Sequence, residues 1–235
     1  MDIELRGELW DNDSADVLRW WGWRDIVAPM DIRNALDSAG GEDVTILVNS
    51  PGGDMTVGGE IRSMLRRYAG KTTALIQGYA ASAATLAISA CTTIQSEAGA
   101  LLCYHNPSTV AAGDHREMKR AGEGLKNARD AILEMYLARP GTASREELIK
   151  LMDKDIWIAP TQAKEYGLID EVVGLDGTAS DPALFVAAAA GCGRIRLTAE
   201  MRDQYLAHVA AEKNAAEKEV RAKRAMARIQ ALAKF

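Results

Sequence analysis

Three cysteines, three histidines and two phenylalanines in 235 residues exclude several classes of protein before any motif is considered. Cys91, Cys103 and Cys192 are odd in number, show no CxxC spacing and sit in apolar stretches. Buried free thiols fit that pattern better than a disulfide framework or a zinc site. No apolar run reaches the roughly eighteen residues of a membrane span, and the stretch MDIELRGELWDND lacks the basic-then-apolar layout of a secretory signal. These absences predict a cytoplasmic protein. A phosphate-cradling loop ending in Lys-Ser/Thr is missing, as is a GxGxxG fingerprint; neither a nucleotide nor a metal or other cofactor is expected.

What is present argues for an ordinary folded core, with 48% hydrophobic and 26% charged residues. The net charge of -5 conceals an asymmetry. From Thr198 onward there are eight Lys or Arg against five Asp or Glu, and the first 197 residues carry twenty against twenty-eight. The acidic body and basic tail give no specific nucleic-acid signature, because Lys and Glu interleave along the tail as on a solvated helix. No membrane partner is indicated either.

The body alternates short apolar runs with helical patterns. IELRG, VTILVN (44–49), TTALIQG (72–78), TTIQ (92–95) and ALLCYH (100–105) have the composition of strands. Between them, MDIRNALDSAG predicts a helix stopped at Gly40, and TVGGEIRSMLRRYAG one stopped at Gly70. Strand and helix recurring about every thirty residues predict βαβ units, hence an α/β core. A long charged helix follows over 114–139, ended by Pro140 and Gly141; Met118, Leu125, Ala128, Ile132, Met135 and Tyr136 form its apolar stripe. Ser144 and Glu147 have capping-box spacing at the start of a further helix. The segments DIWIAP, TQAKEYG and LIDEVVG close the body. The organisation expected is a body over 1–175, a linker and Ala-rich segment over 176–197, and a basic helical tail over 198–235.

Four stretches carry chemistry. In VNSPGGD (48–54), two glycines between a strand and a helix let consecutive amides point at one spot, which suits an anion or a developing oxyanion. A tight turn with no such role fits equally well. In GYAASAAT, Ser82 follows a strand and opens a helix whose first amides are free. It is a nucleophile or simply an N-cap serine, and Ala80 and Ala84 distinguish the turn from a GxSxG elbow. In CYHNP, His105 ends a strand that Pro107 blocks, which puts the ring at the sheet rim. In MDKDIWIAP, Asp155 precedes an apolar patch, Ile156 and Trp157, where a carboxylate needs a donor such as a histidine ring; Asp153 and Lys154 look solvated. Together these supply a nucleophile, a base, an orienting acid and donor amides.

SPGG, GYAAS, a strand ending in HNP, and D-x-W-x-A-P-x-x-A-x-EYGLID, over residues 2–175, resemble the ClpP serine peptidases, in particular the ClpP-related head maturation proteases of tailed phages. The resemblance implies a serine endopeptidase with Ser82 as nucleophile, His105 as base and Asp155, rather than Asp153, as acid. Gly53 and Ala83 would form the oxyanion hole. It also implies a ClpP/crotonase-type spiral of ββα units with a long protruding helix, here followed by a helical tail that ordinary ClpP lacks. Implied too is a homo-oligomer of heptameric, usually stacked, rings. The substrates would be proteins, capsid or scaffold proteins above all, and any ATP dependence would come from a partner ATPase. The alternatives are a ring-forming assembly protein without turnover and a general degradative ClpP-type subunit. An acyl-CoA hydratase on the related fold would leave the triad unexplained.

Overall fold

The computed structural model of the chain describes residues 1–174 and 197–232. The linker and Ala-rich segment predicted within 176–197, with Cys192, fall almost entirely outside the described residues. The described residues form two units.

The larger unit is a mixed α/β structure around a parallel sheet. Its strands are β1 (Asp2–Leu9), β2 (Ile26–Val27), β3 (Val44–Gly53), β4 (Thr72–Ala81), β5 (Thr93–Glu97), β6 (Leu101–Cys103), β7 (Trp157–Ile158) and β8 (Glu171–Val173). The main sheet runs β2-β1-β3-β4-β5-β8, with every pairing parallel. The parallel crossovers carry the helices α2 (Pro29–Ala39), α3 (Met55–Arg67) and α4 (Ala83–Ile88). Along β3 and β4 fully buried and partly exposed residues alternate, so one face of the sheet carries the core: Ile46, Val48, Ala74 and Ile76 are all 0% exposed.

One strand serves two layers. Thr73–Ile76 of β4 pair with β5, whereas Tyr79–Ala81 pair with β6, which in turn pairs antiparallel with β7. The β3–β4 register shifts between Val48 and Ser50. Asn49 fills that break, its side-chain oxygen accepting from the Tyr79 amide at 3.3 Å. The end of β4 thereby parts from β5, keeps β3 as its neighbour through Ser50 and Ala80, and delivers residue 82 beside β6.

α5 (His115–Leu137) is the long charged helix, started by an Asp114 capping box. Its apolar stripe is covered only in its second half: Ile132, Leu133 and Tyr136 are buried, whereas Met118 is 40% exposed. α6 (Arg145–Lys154) starts at the predicted Ser144–Glu147 box, and α7 (Pro160–Glu165) follows β7. Gly40 stops α2 in the left-handed conformation as expected. Gly70 does not stop α3. That helix ends at Arg67, and Tyr68 turns extended while its hydroxyl accepts from the Gly41 amide and donates to the Glu42 carbonyl.

The second unit comprises, among the described residues, 16–23 and 197–232. Its described helix, α8, is Ala199–Leu232. Within this unit Trp20 meets Tyr205 at 6.0 Å and His208 at 5.1 Å between ring centroids, and the Trp21 indole donates to the Met201 carbonyl at 3.3 Å. The helix α1 (Asn12–Trp20) and strand β2 have no counterpart among the predicted elements.

Candidate active site

The turn between β4 and α4 shows that Ser82 is not an ordinary N-cap serine. Ser82 stands at the N-cap position of α4, yet its hydroxyl caps nothing, and its backbone has φ 54° and ψ -129°. A capping serine has an extended backbone and accepts from the helix amides; this one does neither. Holding a non-glycine residue there costs on the order of 1–3 kcal/mol, a conformation that persists only where the surroundings over-determine it. Among the described residues, Ser82 and Asp155 are the two non-glycines with positive φ.

The surroundings do over-determine it. The Ser82 amide donates to the Cys103 carbonyl of β6 at 3.0 Å. Its carbonyl accepts from the Thr85 amide at 3.0 Å and from the Thr85 hydroxyl at 2.7 Å. The SPGG segment supplies close backbone contact: a Cβ on Gly52, at φ +85°, would lie 2.5 Å from the Ala81 carbonyl oxygen and 2.7 Å from the Ala83 nitrogen. Gly58 of α3 has the same function one turn later, because a Cβ there would lie 2.6 Å from the Ala83 oxygen. Gly53 packs against Leu9 of β1. The small residues read from the sequence are therefore what lets three backbone segments converge on one hydroxyl.

Ser82 opens onto a cleft of about 320 Å³, counting its mouth, lined by Met55, Ala83, Leu86, His105, Pro107, Ile132 and Tyr136. Ser82, Ala83 and His105 are thus brought together. Asp155 is not among the lining residues. It is an exposed left-handed C-cap of α6, at φ 48° and ψ 50°. Burial, with the Asp155 carboxylate adding to it, pushes the Cys103 thiol up to about 11, which places Asp155 within electrostatic reach of the end of β6.

The contacts of the histidine and the acids differ from expectation. His105 Nδ1 lies 2.7 Å from the carbonyl oxygen of Asn106. No hydrogen bond among the described residues joins His105 to Ser82 or to Asp155. Asp153 is exposed, as expected, and accepts from the Asn106 side-chain amide at 2.8 Å. The apolar patch expected beside Asp155 is also open: Ile156 is 42% exposed, and Trp157 is half-buried against Tyr79. A strand of two residues turns successive side chains to opposite faces, so Ile158 alone is fully covered.

Sequence reasoning did not single out Thr85 and Tyr136. The Tyr136 hydroxyl lies 2.8 Å from Thr85 Oγ1, both side chains are buried, and burial raises the phenol well above its ordinary value. The signal available was a threonine three residues beyond the serine in a run otherwise made of alanines.

The chain belongs to the Clp protease family, whose model matches residues 26–176. The ATP-dependent Clp protease proteolytic subunit 3 of Streptomyces avermitilis is 31% identical over 134 residues, covering 56% of this chain and 61% of that protein. The ATP-dependent Clp protease proteolytic subunit of Mesostigma viride is 31% identical over 150 residues, covering 63% and 64%. The chain thus spans less than two thirds of the length of these curated relatives. No helix among the described residues is long and apolar enough to cross a membrane.

Proposed function

We propose that this chain is a serine endopeptidase that cleaves peptide bonds through an acyl-enzyme. The observation that carries this reading is Ser82: a non-glycine residue at φ 54°, with an uncapped hydroxyl, in a cleft it shares with His105. In the mechanism, His105 Nε2 takes the hydroxyl proton as Ser82 Oγ attacks the scissile carbonyl carbon. The carbonyl π electrons move to oxygen, where the amides of Gly53 and Ala83 receive the charge. Collapse expels the amine, which takes the proton from His105, and water then releases the acyl group by the same steps. Asp155 holds the imidazole tautomer and offsets its positive charge. Nδ1 must therefore exchange the Asn106 carbonyl for Asp155 during turnover.

The proposed assembly is a homo-oligomeric ring, heptameric and stacked as the motif resemblance implies, and the exposed first half of α5 is available for subunit contact. The substrates proposed are phage capsid or scaffold proteins, on the strength of the SPGG, GYAAS and HNP motifs. The similarity to proteolytic subunits of ATP-dependent Clp proteases favours a degradative subunit working with an ATPase. A second reading, a ring-forming assembly protein without turnover, is favoured by His105 facing its neighbour's carbonyl.

A fluorophosphonate probe separates the readings. Under the peptidase reading it labels the wild-type protein at Ser82 and leaves Ser82→Ala unlabelled. A wild-type protein that resists the probe would leave only the assembly reading.

A further inference from the structure

The Ser82 carbonyl is held by more than its own helix. Thr85 Oγ1 lies 2.7 Å from that carbonyl oxygen and 2.8 Å from the Tyr136 hydroxyl. A carbonyl has no proton, so Thr85 spends its single hydroxyl proton on Ser82, and Tyr136 must donate to Thr85. The order is fixed: Tyr136 O–H to Thr85 Oγ1, Thr85 O–H to Ser82 C=O.

This chain crosses between elements. Thr85 lies in the first turn of α4 and Tyr136 near the end of α5, fifty-one residues later. Thr85 is 2% and Tyr136 5% exposed, so water cannot replace either bond, and a missing partner leaves a buried polar group unsatisfied. The edge of the Tyr136 ring packs against Tyr104, whose segment carries His105 two residues beyond the Cys103 carbonyl that holds the Ser82 amide. Arg62 fixes the same stretch of α5 by donating to the Met135 carbonyl at 3.1 Å and to the Ser89 hydroxyl at 2.9 Å.

We propose that Thr85 and Tyr136 are positioning residues for the nucleophile: together they clamp Ser82 in its strained conformation and tie that conformation to the seating of α5. The proposal rests on Ser82 being the nucleophile. Its logic is that a strained turn relaxes when one restraint is removed, and an off-line shift of an ångström or less in a nucleophile is worth up to about a hundredfold in rate. Neither residue touches the reacting atoms through its hydroxyl; both act through the Ser82 carbonyl.

The test measures second-order fluorophosphonate labelling rates for full-length wild type, Thr85→Val, Thr85→Ser, Tyr136→Phe and the Thr85→Val/Tyr136→Phe double variant, with thermal melts alongside. Thr85→Val and Tyr136→Phe are each expected to slow labelling about tenfold or more, and Thr85→Ser to restore the wild-type rate. The double variant should be no slower than Thr85→Val, because both substitutions break one chain. With a fluorogenic peptide the loss should fall on kcat and leave KM unchanged. Tyr136→Phe removes a single oxygen and decides the matter should Thr85→Val not fold. Labelling of Tyr136→Phe at the wild-type rate, or multiplicative losses in the double variant, overturns the clamp while leaving Ser82 as nucleophile. Failure of the wild type to label overturns the nucleophile reading and the clamp with it.

Discussion

The two walls of the cleft are built to different standards. On the Ser82 wall, every backbone polar group of the key residue has a partner: the amide bonds to Cys103 and the carbonyl to Thr85, with Gly52 and Gly58 packed close behind. On the His105 wall, the ring bonds to the adjacent carbonyl, Asp155 is exposed, and Asn106 holds Asp153 while its own side-chain oxygen is buried without a partner. The first wall is made of strands and helix starts, where ladder hydrogen bonds fix position. The second is made of the segments after β6 and after α6, where a single side-chain rotation changes partners. Pre-organisation therefore resides in the proposed nucleophile, and the proposed base and acid are the adjustable parts.

The comparison breaks most sharply at Ser82 itself. Ser82→Ala should remove peptidase activity on the order of a millionfold, the scale of nucleophile loss in serine peptidases generally. Ser82→Gly should be as inactive but more stable, because glycine adopts φ 54° without a Cβ penalty. Relief of about 1 kcal/mol raises the melting temperature by about 2–4 °C for a chain of this size. Calorimetry on the two variants reads the stored strain directly. Equal melting temperatures would mean that the turn is not strained.

Next in size is the choice between two acids. Asp155→Asn should lower kcat by about a thousandfold to ten-thousandfold if Asp155 orients the imidazole. It should not destabilise the fold, since asparagine tolerates the left-handed backbone that Asp155 adopts. Asp153→Asn weakens one exposed hydrogen bond to Asn106, worth about fivefold or less. A larger loss from Asp153→Asn would transfer the acid's role and with it the description of the second wall.

A third substitution tests the first wall mechanically. Gly52→Ala drives a Cβ into the Ala81 and Ala83 backbone at φ +85°, and should cost about 2–4 kcal/mol, the range of severe steric substitutions. Chemical denaturation measures it. A cost below about 1 kcal/mol would mean that the SPGG segment yields readily and does not brace Ser82.

These contrasts also explain how much was legible in the sequence. The strands of the sheet other than β2 and the existence of helices α2, α3, α5 and α6 follow from apolar period, caps and stops, because those signals are local. Ser82 and His105 were read as members of motifs, and both line one cleft. Helix α1 was missed because NDSADVLRW is short, polar at its start and ends in Trp20, with Trp21 and Trp23 just beyond, all three exposed. The end of α3 was misread because a tertiary bond from Tyr68 outcompeted the glycine two residues on. The half-covered stripe of α5 has the same cause: helical period predicts an apolar face but not what covers it. Nothing in the sequence announced the positive φ of Ser82 and Asp155, because that strain is imposed by partners distant along the chain.

The smallest expected effect follows from the phenols behind the first wall. Burial raises the ionisation of both Tyr104 and Tyr136 above the ordinary value of 10.0, and the bond to Thr85 only partly opposes it for Tyr136. The folded state therefore holds these protons more tightly than the unfolded chain does. The resulting stability is fully present below pH 10, where both states are protonated, and is lost as pH rises from there toward the folded values. Stability should fall by about 1.4 kcal/mol per pH unit for each buried tyrosine once that range is entered. Tyr136→Phe should halve the slope, as measured by denaturant unfolding across alkaline pH. A slope unchanged by the substitution would mean that the folded state holds the Tyr136 proton no more tightly than the unfolded chain does, and that the phenol behind the first wall is less enclosed than its bond to Thr85 makes it.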